Sequence, residues 1–402
     1  MIVSYRRSIR HERIVMALAA VLVGFALYKT YMSWMQIQHY ASAAADLEAG
    51  RLIQAEDQFR SIEANRFLDY KVQEMEEALV TLQPVSEIKG TLGSIEAEAR
   101  SAADAEDVPR LLQAYTDFGA KSAEMAKSKE EFAKSIFAEA AACYELDALF
   151  AQSVADARKQ VTKQLEGSIQ KQSFEDEKAL LALLSIHRIY DGNDAKKIGD
   201  GLKLIESYEA ARLEKLFKDQ PLADVLNEAT RISKLYQDQG VKAPWIASKL
   251  EAYVKGQLKS DFDNGQVEAF IVKAKAFQAN KAWAGALSGV NAYVNTVIKQ
   301  WTNQAAELTA TNKYDEGMAL YKQLGQFIDT SDSIRKAELR ALETDPGRLL
   351  QAAAPNRTFN VLLSAKNTAG ASAAVVGLDG KKLGVARLMS DGSVAFTEAS
   401  VD

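Results

Sequence analysis

The chain has 402 residues, 48% of them hydrophobic, with one cysteine and three histidines. It is long enough for two or three domains, but it can form no intrachain disulfide and offers no His/Cys cluster for a transition metal. Its 49 Lys and Arg against 54 Asp and Glu give a formal charge of −5; residues 1–29 hold five bases and one acid, so the rest carries −9, which argues against nucleic acid and against bulk adhesion to anionic lipid.

The first element in the chain is an uncharged apolar stretch, 14–28. At ~1.5 Å per residue it covers about 22 Å, short of the ~30 Å hydrocarbon core. The apolar pattern resumes past Lys29, and a helix through 14–35 reaches about 33 Å. Lys29 can snorkel, while Tyr28, Tyr31 and Trp34 resemble an interfacial aromatic belt. Upstream stand Arg6, Arg7, Arg10 and Arg13 with a single acid, Glu12; downstream of Lys29 the next base is Arg51. This asymmetry predicts a cytoplasmic N-terminus and export of everything beyond the span. A cleaved signal peptide would want a small-residue site close behind, yet Ala41-Ser42-Ala43 lies far downstream. A lipoprotein would want a cysteine there, and a buried core helix would not need the arginines. The reading is an uncleaved signal anchor.

Behind the anchor, 36–49 continues its helix to Gly50, and 52–82 reads as a second helix stopped by Pro84. Its apolar side includes Leu52, Ala55, Phe59, Ile62, Phe67, Tyr70, Met75, Leu79 and Leu82. Val85, Ile88, Leu92, Ile95, Ala99 and Ala102 form a short heptad seam. A second seam starts at Leu111 and runs through Phe132 and Cys143 toward Val161. With neither Gly nor Pro at 120–166, that stretch predicts one long rod-like helix or an antiparallel coiled-coil-like pair. From Ser173 shorter helices are expected at 174–190, 195–217, 222–237, 245–259, 267–279, 283–309, 314–328 and 333–342. The links between them carry breakers such as Pro221, Gly240, Pro244, Asn264-Gly265 and Asn312. Helices of this length with short links form αα-hairpins.

An internal repeat accompanies these hairpins. Gly50-Arg51-Leu52, followed by Ala55, Phe59 and Ile62, matches Asn312-Lys313-Tyr314, followed by Gly317, Tyr321 and Leu324. The small residue lets two helices approach, and the aromatic fills the groove between hairpins. Weaker echoes stand at Val108/Leu111/Tyr115/Phe118 and at Trp283/Ala286/Val290/Tyr293. Leu52, Ala55, Phe59, Tyr314, Gly317 and Tyr321 are the expected packing residues. These segments resemble tetratricopeptide (TPR-like) hairpins over two units, without that family's leading Trp and Gly-Tyr pattern. The resemblance implies stacked helix pairs with a concave surface that binds peptides or proteins.

Pro346 and Pro355 are expected to close the helical region. Four β-prone runs follow at 358–365, 371–378, 382–389 and 393–397. Asp379-Gly380 and Asp391-Gly392 suggest type I′ hairpins in a small antiparallel meander. Such a sheet either packs on the last helices or binds a partner or cell-wall polymer.

The search for chemistry ends without a catalytic or metal constellation. Cys143 lies on an apolar seam, where a buried small residue is expected. Gly199-Asp200-Gly201 lacks the strand and lysine of a phosphate loop. Asp329-x-Ser331-x-Ser333 reads as a helix-start cluster rather than an adhesion metal site. The Asp191–Asp194 stretch lacks the glycine and glutamate of a calcium loop and reads as a turn. Acid pairs such as Glu130/Glu131 belong to solvated helix faces. Trp245, Trp283 and Trp301 are core candidates.

The sequence therefore predicts a mainly α protein: a transmembrane helix, long amphipathic helices, TPR-like hairpins and a C-terminal β meander. Its regions are a cytoplasmic tail (1–13), a span (14–35), a juxtamembrane long-helix region (36–172), a helical-hairpin region (173–345) and a β domain (346–402). The function expected is not enzymatic and uses no cofactor. It is a scaffold or adaptor in a bacterial-type envelope, seated in the lipid bilayer and binding envelope proteins. The alternative is a spacer or sensor rod holding the β domain to cell-wall polymer.

Overall fold

The computed structural model describes residues 2–128, 131–192, 195–368 and 370–401, with side chains for all of these except 2–11, 195 and 196. The side chains of Arg6, Arg7 and Arg10 therefore lie outside the described ones, and Glu130, Asn193 and Asp194 lie outside the described residues. Among the described residues there are seventeen α-helices, a π-helical turn and one four-stranded antiparallel sheet. The chain divides into two compact units, 1–205 and 206–402.

The first unit starts with α1 (Ile2–Glu48), the one described helix long and apolar enough to cross a membrane. It turns back through Gly50 into α2 (Leu52–Ala64). Gly50 has a φ of 75°, and the Arg51 N–H reaches back to the Asp46 carbonyl at 2.8 Å, the Schellman closure of a helix end. The Asp46 carboxylate tightens the turn by accepting from Arg51 Nε (2.7 Å) and Gln58 Nε2 (2.8 Å). Then come α3 (Val72–Thr81) and α4 (Gln83–Asp104), the latter with Pro84 in its first turn, where no N–H is needed. The turn from α4 into α5 (Val108–Lys127) repeats the closure, with Asp107 N–H on the Ala102 carbonyl at 2.9 Å.

Two expected helices are broken here. The stretch 52–82 opens between Asn65 and Lys71, because buried Gln36 of α1 captures the backbone there: Gln36 Oε1 accepts from the Phe67 and Leu68 N–H groups at 2.9 Å, and Gln36 Nε2 donates to the Leu68 carbonyl at 2.8 Å. The single long helix through 120–166 is instead the end of α5, α6 (Glu131–Cys143) and most of α7 (Leu146–Lys171). Glu145 takes a left-handed φ of 51° between the last two. Folding back lets Phe118 stack on both Phe137 and Phe150, at 6.0 and 5.8 Å, so the apolar seam packs on itself rather than forming a rod. Cys143 ends α6 exposed, not buried as expected. The unit continues with α8 (Lys178–Ile186), a π-helical turn (His187–Asp191) and the start of α9 (Ala195–Asp219).

The second unit holds α10 (Leu222–Asp238), α11 (Pro244–Asp263), α12 (Val267–Ala279), α13 (Lys281–Ala286), α14 (Ser288–Ala310), α15 (Tyr314–Leu324), α16 (Ser331–Thr344) and α17 (Pro346–Ala353). The expected helix 283–309 is split at Leu287: α13, capped by Asn280, which accepts from the Trp283 N–H, ends at Ala286, and α14 starts at Ser288. Pro346 opens α17 instead of ending the helical region. The Asp345 side chain caps it, accepting from Gly347 and Arg348 N–H groups at 3.0 and 3.3 Å. Trp283 and Trp301 are buried and Trp245 is half-buried. At the start of α16, Asp329 accepts from the Ser331 N–H at 3.0 Å, as in a helix-start cluster.

Strands β1 (Asn360–Thr368), β2 (Ala371–Asp379), β3 (Lys382–Met389) and β4 (Val394–Ser400) form a meander in chain order. One face packs Ala373, Val375, Ala386 and Leu388 onto Leu349 and Leu350 of α17. The hairpin turns are not type I′. Only Gly380 has positive φ in the two-residue Gly380-Lys381 turn, which suits type II′. The second turn has three residues, Ser390 to Gly392, with Gly392 at a φ of 84°, the geometry that ends in a G1 bulge.

Candidate functional site

In the first unit the turn from α4 to α5 leans over α7 and α8 and leaves an open groove of about 1130 Å³. Its floor is apolar: Val108, Pro109, Val161, Ala179, Leu181 and Ala182. The residues that build it do so for local reasons. Glu106 takes a φ of 56° to close the hairpin, which brings Val108 and Pro109 over α7. Gln160 Nε2 donates to Glu106 and fixes the turn against α7. The rim carries three bases, Lys163, Lys171 and Lys178, and three acids, Glu106, Asp107 and Asp176. The acids are occupied: Asp107 accepts from the Arg110 N–H at 3.2 Å, Asp176 from the Lys178 N–H at 3.0 Å, and Glu106 from Gln160. The lysine ammoniums are exposed. The groove is therefore an open apolar trough with a rim of mixed charge whose lysines reach solvent, a surface that can take an amphipathic segment.

A second constellation in the same unit has the composition of a catalytic dyad but not its access. His187 Nδ1 lies 2.7 Å from Asp191 Oδ2, one turn apart on the π-helical segment, and the other Asp191 oxygen accepts from Arg158 of α7. Both side chains are buried. Burial pushes the His187 pKa down, and the Arg158 charge adds to this against the pull of Asp191. The remaining nitrogen, Nε2, makes no hydrogen bond and faces Gly201 of α9, where a methyl group would sit only 1.8 Å from it. A general base must reach its substrate through that nitrogen, and here helix backbone closes it off. The trio instead ties α7, the π-helical turn and α9 together.

Buried charge also stitches other elements. Burial drives Glu56 of α2 upward, but hydrogen bonds from Lys89, Ser86 and Arg60 outweigh it and hold the carboxyl below its ordinary value. In the second unit, fully buried Glu209 accepts from the Tyr236 hydroxyl at 2.9 Å, and Arg212 donates to Glu228 at 2.8 Å. Hydrogen bonding from Arg231 lowers the Glu228 pKa, with Arg212 adding to it. These networks tie helices to one another, and the second also borders an open surface pocket of about 460 Å³ at Glu228 and Arg231. Among the described residues, no group of three or more His, Cys, Asp or Glu could hold a metal ion.

The residues singled out from sequence fall into three places. Arg13, Lys29 and Trp34 are exposed on α1, Trp34 with its ring 6.4 Å from that of Tyr31. Ala55 and Phe59 are buried on the face of α2 toward α1, where Phe59 meets Tyr40 edge-on at 5.7 Å, and Leu52 is half-buried. Tyr314, Gly317 and Tyr321 share the face of α15 that packs on α14. A methyl on Gly317 would lie 2.5 Å from Thr309 Cγ2 and 3.0 Å from the Ala305 carbonyl, so the two helices touch there backbone to backbone. None of these residues lines the groove. Of the groove itself Val108 stood out in the sequence, as an echo of the repeat, and Val161, at the end of the second apolar seam. His187 and Asp191 carried one usable signal, their i, i+4 spacing. The chain matches no protein-family model, no curated protein and no solved structure.

Proposed function

We propose that this chain is a single-pass membrane protein with a cytoplasmic N-terminus, whose extracytoplasmic part is a non-enzymatic adaptor built of TPR-like hairpins. Its groove captures an amphipathic segment of another envelope protein, with apolar residues on the floor and acidic residues against Lys163, Lys171 and Lys178. One observation carries this reading: the groove belongs to a packed helical unit whose first helix continues, unbroken, into an exposed apolar stretch of membrane-spanning length. Tethering restricts the adaptor to two dimensions and raises the local concentration of whatever it binds. The repeat reading is supported by the shared turn geometry at Gly50, Glu106, Gly265 and Asn312, where in each case the N–H of the next residue bonds the carbonyl five residues before it.

A spacer that presents the β domain to cell-wall polymer is the second reading, favoured by the exposure of Val361, Leu362 and Leu363 on β1. One experiment separates the two. A photo-crosslinking amino acid at Gln164, in the groove, and another at Leu362 are irradiated in intact cells. The adaptor reading expects a discrete protein adduct from Gln164 that Leu181→Asp abolishes. Adducts to wall polymer from Leu362, with none from Gln164, reverse the choice.

A further inference from the structure

Every described side chain of α1 from Glu12 to Tyr31 is exposed, and packing against the rest of the unit begins at Met32. From Ile14 to Tyr31 the helix rises about 27 Å, close to the thickness of a hydrocarbon core. The upper end of that exposed stretch is not bare. The segment between α2 and α3 comes down beside it, held by three hydrogen bonds to the buried Gln36 side chain. Its tip is apolar: Phe67 and Leu68 are 38% and 37% exposed. The Phe67 ring meets Tyr28 edge-on, with centroids 6.4 Å apart. Tyr28 lies three residues, about 4.5 Å, to the bilayer side of Tyr31. Around the tip the side chains are charged, with Arg66 paired to Asp69 at 2.9 Å and Lys29 exposed on the helix below.

We infer that the Phe67–Leu68 tip is a second membrane contact, inserted at the boundary between headgroups and acyl chains of the outer leaflet. This rests on α1 being the membrane anchor. The occupant of the apolar tip is lipid because the surface is continuous with the exposed anchor: Phe67 touches Tyr28, and Tyr28 belongs to the stretch whose described side chains are all exposed. The chemistry of the segment suits that depth. Its captured backbone groups are satisfied by Gln36 rather than by water, as insertion near hydrocarbon requires. Aromatic and aliphatic side chains face lipid, and Arg66, Asp69 and Lys29 stay at the level of phosphate and choline. The tip and the helix together give the anchor two points of contact, which fixes its depth and its rotation about the membrane normal where a lone helix is free to turn.

The test uses the full-length protein with Cys143→Ser, reconstituted in vesicles of phosphatidylcholine and phosphatidylglycerol. An environment-sensitive fluorophore is placed on Leu68→Cys, on Asp69→Cys or on Val21→Cys, and circular dichroism checks that each variant stays helical. Asp69 has a side chain 88% exposed, so its replacement removes only the surface ion pair with Arg66. The expected result is quenching of the Leu68 label by a spin label shallow on the acyl chain, and of the Asp69 label by one on the headgroup, each several-fold stronger than by iodide in the water. The Val21 label is quenched instead by a spin label deep in the bilayer. If Val21 is quenched by lipid while Leu68 and Asp69 answer only to iodide, the tip is in water and the inference falls with the anchor intact. Labels at Leu68 shielded from both quenchers mark a protein contact and overturn it equally. If Val21 itself escapes every lipid quencher, the anchor reading fails and takes the inference with it.

Discussion

Burial and Asp191 pull the His187 ring in opposite directions, and burial prevails. The folded protein therefore holds this imidazole neutral at a pH where the unfolded chain, with an ordinary value near 6.5, starts to take up a proton. The sign follows from linkage: the stability that neutral His187 contributes is fully present above the unfolded value and is lost as the pH falls below it toward the depressed folded value. For one proton the slope is at most about 1.4 kcal/mol per pH unit. Urea midpoints measured in detergent from neutral pH down to about pH 5 should fall faster for the native protein than for His187→Gln. The variant should itself lose about 1–3 kcal/mol at neutral pH, since Asp191 keeps Arg158 but loses its second partner. Equal pH dependence in both proteins would place the ring outside the buried trio. The spacing of His187 and Asp191 was visible along the chain. Arg158 and Gly201 were not, because they reach the pair from other helices and nothing local marks them.

At the scale of elements, the close approach of α14 and α15 is the contact most sensitive to a single atom. Alanine normally stabilises a helix interior relative to glycine by about 1 kcal/mol. At Gly317 the added methyl would meet Thr309 and the Ala305 carbonyl, so the helices must separate. Overpacking of this kind costs about 1–3 kcal/mol, which outweighs the gain in propensity. Gly317→Ala should therefore lower the unfolding midpoint of the second unit, whereas alanine already stands at the matching Ala55 of α2. A stabilised Gly317→Ala would remove the backbone contact from the account of this hairpin. Elements bounded by strong breakers were legible from sequence: α12 lies between Gly265 and Asn280, and β3 between two glycine turns, with the expected limits. The breaks at 65–71 and at Glu145 were not. There the apolar spacing continues, and the chain leaves the helix because Gln36 captures it, or because Tyr144 donates to the Lys89 carbonyl and lays its ring over Gly93. Tertiary partners decide these breaks, and local propensity carries no trace of them.

For the whole molecule, the proposed topology depends on a charge asymmetry across α1. Arg6, Arg7, Arg10 and Arg13 precede the exposed stretch, and after Lys29 no base appears until Arg51. Moving a cation through the bilayer centre costs about 2.5–3.5 kcal/mol per residue on the insertion scale, so four arginines resist translocation together. The 36 residues from Ile14 to Ala49 contribute only Lys29 to oppose them. Protease added to intact spheroplasts should accordingly digest both units and leave a short membrane-bound stub carrying the N-terminus. Replacing the four arginines by glutamine, and adding lysines at His39 and Ser42 on the far flank, should protect the bulk in a measurable fraction of molecules. His39 and Ser42 are exposed on α1, so lysine there alters charge without disturbing the packing that begins at Met32. If the native protein survives intact until the cells are lysed, the units lie in the cytoplasm. That outcome overturns the proposed extracytoplasmic adaptor.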